Sequence, residues 1–379
     1  MINSDTNESM TSLKKEELGD WYDYAPIDKL KCQYNIIIGE RSNGKTYGAL
    51  KKIIENFLKD GKKGAYIRRY KEDYRGKRGD ALFESLESEG AITEMTNGKY
   101  TGVKYQSGRW YLSIVDEKSG KKVCGDTPFC YGFAISDMEH DKSTSYPDVT
   151  TIVFDEFLTR GYYLPNEFVL FMNTLSTIIR HRNDVTIYML ANTVNKYAPY
   201  FAEMGLKHIA KMEKGQIDVY NYGSSKLKVA VEYCGSPKKE GKKSDVYFAF
   251  DNPSLELITG GAWEIDMYPH CPVEYNRKDI KFIFFIEFSD EMLQCEVVMF
   301  GNYNFIFVHR KNTPLKNPEK DLVFSMRYDP RPNYVRGLGK SGLKSVKMIG
   351  KYFREDKVFY QDNEVGEVVR NFLQESARA

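Results

Sequence analysis

Residues 39–46 have the composition and spacing of a phosphate-binding loop. They read Gly-Glu-Arg-Ser-Asn-Gly-Lys-Thr, which fulfils the pattern G-x-x-x-x-G-K-[ST] in full. Gly39 and Gly44 allow the backbone to curl, so that successive N–H groups point at phosphate oxygens. Lys45 is expected to reach the β- and γ-phosphates, and the Thr46 hydroxyl is expected to join a Mg²⁺ shell. The loop therefore predicts a site for a nucleoside triphosphate with Mg²⁺.

An acid pair follows the strand-like run Thr151–Phe154 directly. At the carboxyl end of a parallel strand, both acids would face the phosphate loop. Asp155 would then bind Mg²⁺, usually through water, and Glu156 would act as general base toward the attacking water. The paired glutamate, together with the lack of an Asn-Lys-x-Asp guanine-reading element in the sequence, favours ATP over GTP.

Five further polar residues are candidates for sensing or completing this site. Arg41, inside the loop, either contacts the γ-phosphate or faces solvent. Asn192 ends a strand-like run and is the candidate γ-phosphate sensor, with Thr193 as the alternative and a plain turn as the competing interpretation. A basic segment ends the second helix, and either of its arginines, Arg180 or Arg182, could reach a neighbouring subunit as an arginine finger. Basic residues also stabilise helix C-termini through the helix dipole. Helix physics alone therefore does not decide whether either arginine is a finger or only stabilises the end of its helix.

Short apolar runs alternate with helical patterns from about residue 34 to 200, which predicts a mostly parallel α/β sheet. The predicted strands are Tyr34–Ile38, Ala65–Tyr70, Phe129–Ile135, Thr151–Phe154 and Val185–Leu190. Apolar residues recur at helical spacing from Leu50 to Leu58, with Gly61 as the stop, and again from Phe168 to Ile179 after a possible N-cap at Asn166. A strand therefore precedes the phosphate loop and a helix follows it, as the motif requires.

Composition excludes several classes of protein. The chain has 379 residues with 55 Lys+Arg against 53 Asp+Glu, a formal net charge of +2, so a globally basic nucleic-acid coat is ruled out. No apolar run approaches the ~18 residues of a membrane span, and the N-terminal residues lack a signal-peptide pattern. Six scattered cysteines without a Cys-x-x-Cys pair indicate reduced thiols rather than a disulfide framework or a zinc site.

The C-terminal third has strand-like runs followed by a basic segment. From Arg331 to Arg354 there are seven Lys/Arg and no acid. If that segment is helical, five of these residues form one stripe that would track phosphates without reading bases: Lys340, Lys344, Lys347, Lys351 and Arg354. An ordinary solvated face is the alternative. Glu287 ends the run Lys281–Phe288 where a nuclease acid could lie, but no clear second and third strand-borne acids follow, so a non-catalytic domain is favoured over an active nuclease.

Six segments occur in order and together resemble the genome-packaging (DNA encapsidation) ATPases of small short-tailed bacteriophages with protein-primed linear genomes. They read YNIIIGERSNGKTYG, AYIRRYK, KSTSYPDVTTIVFDEF, PNEF, TIIRHRNDV and LANTVNKYAPYF. The resemblance covers about residues 34–201 and continues more weakly to the end. It implies a terminase-like P-loop ATPase of the additional-strand catalytic-glutamate type, followed by a small linker subdomain and a ribonuclease-H-like α+β domain that has lost its nuclease acids.

The resemblance also implies roles and partners. Lys45 and Thr46 take the nucleotide, Asp155 the metal and Glu156 the catalysis, whereas Arg180 matches the trans-acting finger and Lys142 a second trans-acting basic residue. The function implied is ATP-driven movement of double-stranded viral DNA into a preformed procapsid. A homomeric ring, with a pentamer as the expected size, would act at the portal vertex and be tethered by a structural packaging RNA. It would work in the host cytoplasm and be absent from the mature virion.

Four segments are expected: a flexible arm (1–20), the ATPase domain (21–232), a linker subdomain (233–262) and a nucleic-acid-binding nuclease-like domain (263–379). Three alternatives remain. A ring helicase would depend on single strands rather than on duplex DNA, a packaging motor could keep an active nuclease, and a scaffold with a vestigial pocket would not turn over ATP.

Overall fold

A computed structural model describes most of the chain. The described residues are 8–14, 21–116, 118, 120–140, 145–159, 163–193, 198–223, 225–235, 268–288, 291–337 and 344–377. The chain divides into two compact units, Met1–Trp263 and Glu264–Ala379. The linker subdomain expected at 233–262 lies almost entirely outside the described residues, and Tyr233 itself ends a strand.

An eleven-stranded sheet forms the first unit, in the order β1-β10-β11-β2-β9-β8-β3-β7-β5-β4, with β6 beside β5. The strands are β1 Glu8–Lys14, β2 Tyr34–Gly39, β3 Lys63–Arg68, β4 Gly102–Gln106, β5 Arg109–Val115, β6 Lys122–Cys124, β7 Cys130–Ala134, β8 Val149–Asp155, β9 Thr186–Asn192, β10 Gln216–Tyr222 and β11 Lys228–Tyr233. The central strands from β11 to β7 run parallel, and the pairings outside them are antiparallel.

Helices cover both faces of this sheet. They are α1 Ala25–Asp28, α2 Lys45–Asp60, α3 Lys77–Ala81, α4 Glu84–Ser88, α5 Ala91–Met95, α6 Glu167–Ile179 and α7 Pro199–Glu203. The side chains of β2 alternate between two cores. Ile36 and Ile38 are buried in the core that contains the apolar stripe of α6, and Ile37 in the core that contains the stripe of α2. This three-layer arrangement holds the phosphate loop above the carboxyl edge of the parallel strands.

All five predicted strands and both predicted helices are present, with ends shifted by one to a few residues. Gly61 ends α2 in a left-handed conformation, φ 67°, as a C-terminal glycine should. Asn166 does precede α6, but its side chain makes no cap hydrogen bond and its φ is 54°. Asn166 therefore suits the start of α6 because asparagine tolerates left-handed backbone angles. Its side chain does not accept a capping hydrogen bond.

The N-terminal segment differs from the flexible arm expected over residues 1–20. Glu8–Lys14 forms β1, which pairs antiparallel with β10 over seven residues. The sequence ESMTSLK carries no alternating apolar pattern that would have indicated a strand. Its order comes instead from the backbone donors and acceptors that β10 offers on its outer side.

The second unit is an α+β fold with a six-stranded sheet in the order β16-β15-β12-β13-β14-β17. Its elements are β12 Ile280–Phe288, β13 Glu291–Phe300, β14 Tyr303–Arg310, β15 Val323–Ser325, β16 Tyr334–Val335, α8 Lys344–Arg354, β17 Val358–Tyr360 and α9 Asn363–Ser376. An antiparallel meander, β12–β13–β14, is extended by β15 parallel to β12. The second unit thus has the α+β composition expected of it, and the first unit confirms the predicted mostly parallel α/β fold of a P-loop ATPase with an additional domain.

Helices in the described part of the chain are too short or too polar to span a bilayer.

Candidate functional site

The phosphate loop connects β2 to α2 and is shaped by residues that accept unusual backbone angles. Gly44, the N-cap residue of α2, has φ 89°, and Ser42 has φ 58°. Gly39 is required for a different reason, because a Cβ there would lie 2.7 Å from Cβ of Cys234, which follows β11. Both glycines of the motif are therefore explained by local geometry.

Lys45 is folded back onto the loop. Its Nζ donates to the main-chain oxygen of Glu40 at 2.5 Å and to Oδ1 of Asn43 at 3.0 Å. Burial lowers the pKa of Lys45, partly offset by neighbouring groups that include Asp155. An ammonium held only by neutral loop oxygens can exchange those contacts for phosphate oxygens at little structural cost.

Thr46 and Asp155 meet although 109 residues separate them. The Thr46 hydroxyl lies 3.2 Å from both carboxylate oxygens of Asp155, and the Tyr66 hydroxyl donates to one of them at 3.0 Å. Asp155 is buried, and burial raises its pKa, while Arg68 acts in the opposite direction. A buried carboxylate beside a hydroxyl provides the hard oxygen ligands that Mg²⁺ prefers.

The donor set fits a metal that arrives with its nucleotide. Among the described residues, no group of three or more His, Cys, Asp or Glu could hold a metal ion. Mg²⁺ in nucleotide sites is held by one or two protein oxygens together with substrate phosphates and water. Thr46 and Asp155 therefore suffice for Mg²⁺ bound to a triphosphate.

Glu156 occupies a turn just past the end of β8, with φ 55°. Its N–H donates to Asp155 Oδ1 at 3.0 Å, and its side chain is 57% exposed. The carboxylate accepts from the guanidinium of Arg68, which also contacts the Tyr66 hydroxyl at 3.3 Å and lies 3.9 Å from Asp155. Arg68 therefore joins both acids of the pair in this state of the site.

A buried ion pair supports the backbone of the same turn. Arg69 donates from Nε and Nη2 to the two carboxylate oxygens of Glu167, each at 2.8 Å. It also donates to the main-chain oxygens of Glu156 at 3.3 Å and Phe157 at 2.7 Å. The Glu167 carboxylate also accepts hydrogen bonds from the Tyr200 hydroxyl at 2.7 Å and from the Leu164 N–H at 2.6 Å. The position of the Glu156 backbone thus depends on this pair.

Asn192 ends β9 between the phosphate loop and the acid pair. In the sheet it lies opposite Gly39, and β9 pairs on its other side with β8, which carries Asp155. The next residue, Thr193, is buried and donates its N–H to the Gly39 oxygen at 3.0 Å. The sheet therefore brings Gly39, Asn192 and Asp155 to one edge, as the sequence analysis expected.

Comparison with known proteins assigns the chain that carries this site to a protein family. The profile of the family described as Podovirus DNA encapsidation protein (Gp16) matches residues 21–329, most of the chain. The chain belongs to this family. Membership confirms the family expected from the sequence motifs, and the Gp16 match includes every element of the site described above.

Individual relatives agree with the Gp16 assignment. A DNA packaging protein of Bacillus phage B103 is 30% identical over 176 residues, 45% of this chain and 48% of that protein. A DNA packaging protein of Bacillus phage PZA is 26% identical over 260 residues, 67% of this chain and 69% of that protein. The solved Phi-28 gp11 DNA packaging motor aligns over 94% of this chain and 98% of its own, with TM-score 0.57 and 17% identity, which supports the fold.

The two arginine candidates lie in different surroundings. The guanidinium of Arg182 donates to the main-chain oxygens of Val149 at 2.7 Å and Tyr146 at 3.2 Å, and it lies 3.2 Å from Asp184. Arg182 is thus used within its own subunit. Arg180 is exposed and caps the end of α6 with φ 56°. The other trans-acting candidate, Lys142, lies outside the described residues.

The C-terminal basic stripe is helical where it is described. α8 buries Val346, Ile349 and Tyr352. Its opposite side exposes Lys344, Lys347, Lys351 and Arg354, whereas Lys340 lies outside the described residues. Lys351 pairs with Glu355 at 3.5 Å, so one charge of the stripe is partly neutralised.

Glu287, the single nuclease-like acid noted in the sequence, has no carboxylate beside it in the sheet. Across β12 it lies opposite Met292 on β13 and Ser325 on β15. A metal-dependent nuclease needs several clustered carboxylates. Within the described strands, the register places none directly opposite Glu287.

Sequence reasoning missed Arg68, Arg69, Tyr66 and Glu167. The string AYIRRYK was recognised only as part of a family pattern, and no local signal connects it to an acid 98 residues later. Two adjacent arginines that end an otherwise buried strand did carry a clue, because a charge in that position needs a partner.

Proposed function

We propose that this chain is the ATP-hydrolysing subunit of a ring motor that moves double-stranded viral DNA into a preformed procapsid. The observation that carries the proposal is the convergence of Lys45, Thr46, Asp155 and Glu156 at one sheet edge in a chain of the DNA encapsidation family. The relatives from phages B103 and PZA are DNA packaging proteins.

Each side chain has a role in this site. Lys45 leaves Glu40 and Asn43 to bind the β- and γ-phosphates, and Arg41 and Asn192 are proposed to contact the γ-phosphate. Thr46 and Asp155 hold Mg²⁺, which neutralises phosphate charge when it is bound with ATP. Glu156 accepts a proton from the attacking water. Because Arg68 holds the Glu156 carboxylate in the state described, that ion pair must open before Glu156 can act.

Arg180 is proposed to complete the site of a neighbouring subunit. We expect Arg180→Ala to lower ATP turnover by about 10³-fold or more, since a finger that neutralises transition-state charge contributes on that scale. Mixing Arg180→Ala with Lys45→Ala subunits should restore part of the activity, because some interfaces then combine an intact loop with an intact finger. ATP turnover of the mixed rings measures this.

One matched mixture gives the control. Lys45→Ala mixed with Glu156→Gln should recover nothing, because both residues act in the same subunit. If the Arg180→Ala mixture also stays inactive while both variants assemble, Arg180 does not act in trans.

The exposed side of α8 is proposed to contact a polyanion. Replacing Lys344 and Lys347 by Glu should weaken binding of duplex DNA or of packaging RNA and reduce the slope of log K against log salt by about two, one for each lost phosphate contact. Lys316→Glu with Lys320→Glu is the matched control, since it changes the charge of exposed lysines in the same unit equally. Equal slopes for the α8 variant and the wild type would leave the stripe as a solvated face.

The finer features of the motor are proposed from family resemblance. They are a pentameric ring at the portal vertex, a structural packaging RNA as tether, Lys142 as a second trans-acting residue, action in the host cytoplasm and absence from the mature virion.

ATPase activity of the full chain, with and without procapsids and duplex DNA, tests the proposed function. We expect turnover that procapsids and duplex DNA stimulate. Stimulation by single strands alone would favour a ring helicase, and the absence of turnover under all these conditions would favour a scaffold with a vestigial pocket.

A further inference from the structure

Trp21 is an exposed aromatic side chain held against the phosphate loop. Its side chain is 64% exposed, yet the residues that follow it are firmly anchored. The Tyr22 N–H donates to the main-chain oxygen of Asn43 at 2.8 Å, and the Tyr24 hydroxyl donates to that of Lys45 at 2.6 Å. The backbone that presents Trp21 is therefore fixed to the loop itself.

The indole lies over Gly44, the residue from which α2 begins. A Cβ at Gly44 would lie 3.4 Å from Cε3 of Trp21 and 3.5 Å from its Cβ. The ring thus borders the main-chain groups that the motif aims at phosphate, while most of its surface remains open to solvent.

The two ends of a bound triphosphate can be placed from the sheet order. Going from β2 through β9 to β8 leads to Asp155, where the γ-phosphate and its metal must lie. On the other side of β2 is β11, and the Tyr22 hydroxyl donates to Glu232 of that strand at 2.6 Å. The segment carrying Trp21 therefore lies on the side of the loop away from the catalytic acids, which is where the nucleoside end must leave.

We propose that Trp21 forms one wall of the nucleobase subsite and stacks its indole on the base of the bound nucleotide. This inference rests on the proposed ATP site and adds to it the residue that holds the base. An indole presents a large π-face to a flat ring, and such stacking tolerates any base. Trp21 thus contributes affinity for nucleotides, while discrimination among bases must come from other groups.

The test compares two ligands that share the phosphate chain but differ in the base. Dissociation constants for Mg-ATP and Mg-tripolyphosphate are measured by calorimetry on the full chain. Trp21→Ala should weaken ATP binding roughly tenfold, as expected for one lost aromatic–base stack, and leave tripolyphosphate binding unchanged. Trp21→Phe should keep most of the ATP affinity, whereas Trp21→Leu, which fills space without a π-face, should resemble Trp21→Ala.

Tryptophan fluorescence gives a second measurement that does not depend on Trp21→Ala folding. ATP should quench the emission of the wild type, tripolyphosphate should not, and Trp21→Phe should lose the quenching. Equal weakening of both ligands in Trp21→Leu, or unchanged ATP affinity in it, would overturn the inference while leaving the proposed function intact. Failure of the wild type to bind either ligand would instead overturn both.

Discussion

Glu156→Gln should lower ATP turnover by about 10²–10⁴-fold, the range for loss of a general base, and leave ATP binding intact. The amide keeps the size of the side chain but cannot accept a proton from water. Lys45, Thr46 and Asp155, which are proposed to bind the nucleotide, are untouched by the change. Single-turnover hydrolysis and equilibrium binding of ATP, measured on the same preparations, separate these two effects.

The matched control for this variant is Glu55→Gln, which makes the same chemical change on the exposed side of α2, where Glu55 pairs weakly with Lys51 at 3.9 Å. It should hydrolyse ATP like the wild type. Hydrolysis by Glu156→Gln at the wild-type rate would remove Glu156 from the role of base.

Arg69→Ala should lower the free energy of unfolding by about 3–5 kcal/mol, the usual effect of removing one partner from a buried ion pair. Glu167 is almost wholly buried, and its carboxylate would be left with the Tyr200 hydroxyl and the Leu164 N–H but without a countercharge. The main-chain oxygens of Glu156 and Phe157 would lose a donor as well. Chemical denaturation followed by circular dichroism measures the change.

Two variants calibrate that result. Lys51→Ala breaks an exposed pair on α2 and should change the unfolding free energy by no more than about 0.5 kcal/mol. Tyr200→Phe removes one hydrogen bond to the Glu167 carboxylate and should cost about 1.5–3 kcal/mol. An Arg69→Ala protein as stable as Lys51→Ala would show that the buried pair does not support the turn that carries Glu156.

The catalytic core could be predicted because its signals are local. The phosphate loop is one contiguous motif, and the acid pair follows a strand that is apolar on both faces, as a central parallel strand must be. The rule that ligands bind at the carboxyl ends of parallel strands then places both motifs together. The structure bears this out in the contact between Thr46 and Asp155.

Other features depend on contacts that no local pattern encodes. The antiparallel strands β4, β5 and β6 were not predicted, nor were β10 and β11, because their ordering comes from pairing with a sheet that must first exist. The partnership of Arg69 with Glu167 belongs to the same class. The choice of Arg180 over Arg182 rested on the family resemblance, and the contacts of Arg182 with main-chain oxygens of its own subunit are likewise not encoded in any local pattern.

The central claim is that ATP bound at Lys45 and hydrolysed by Glu156 powers the movement of DNA. Its most direct measurement is protection of duplex DNA from nuclease after incubation with procapsids, ATP and the purified chain, comparing the wild type with Lys45→Ala. We predict protected DNA with the wild type in the presence of ATP and none with Lys45→Ala. Equal protection by Lys45→Ala, or protection by the wild type without any nucleotide, would contradict it.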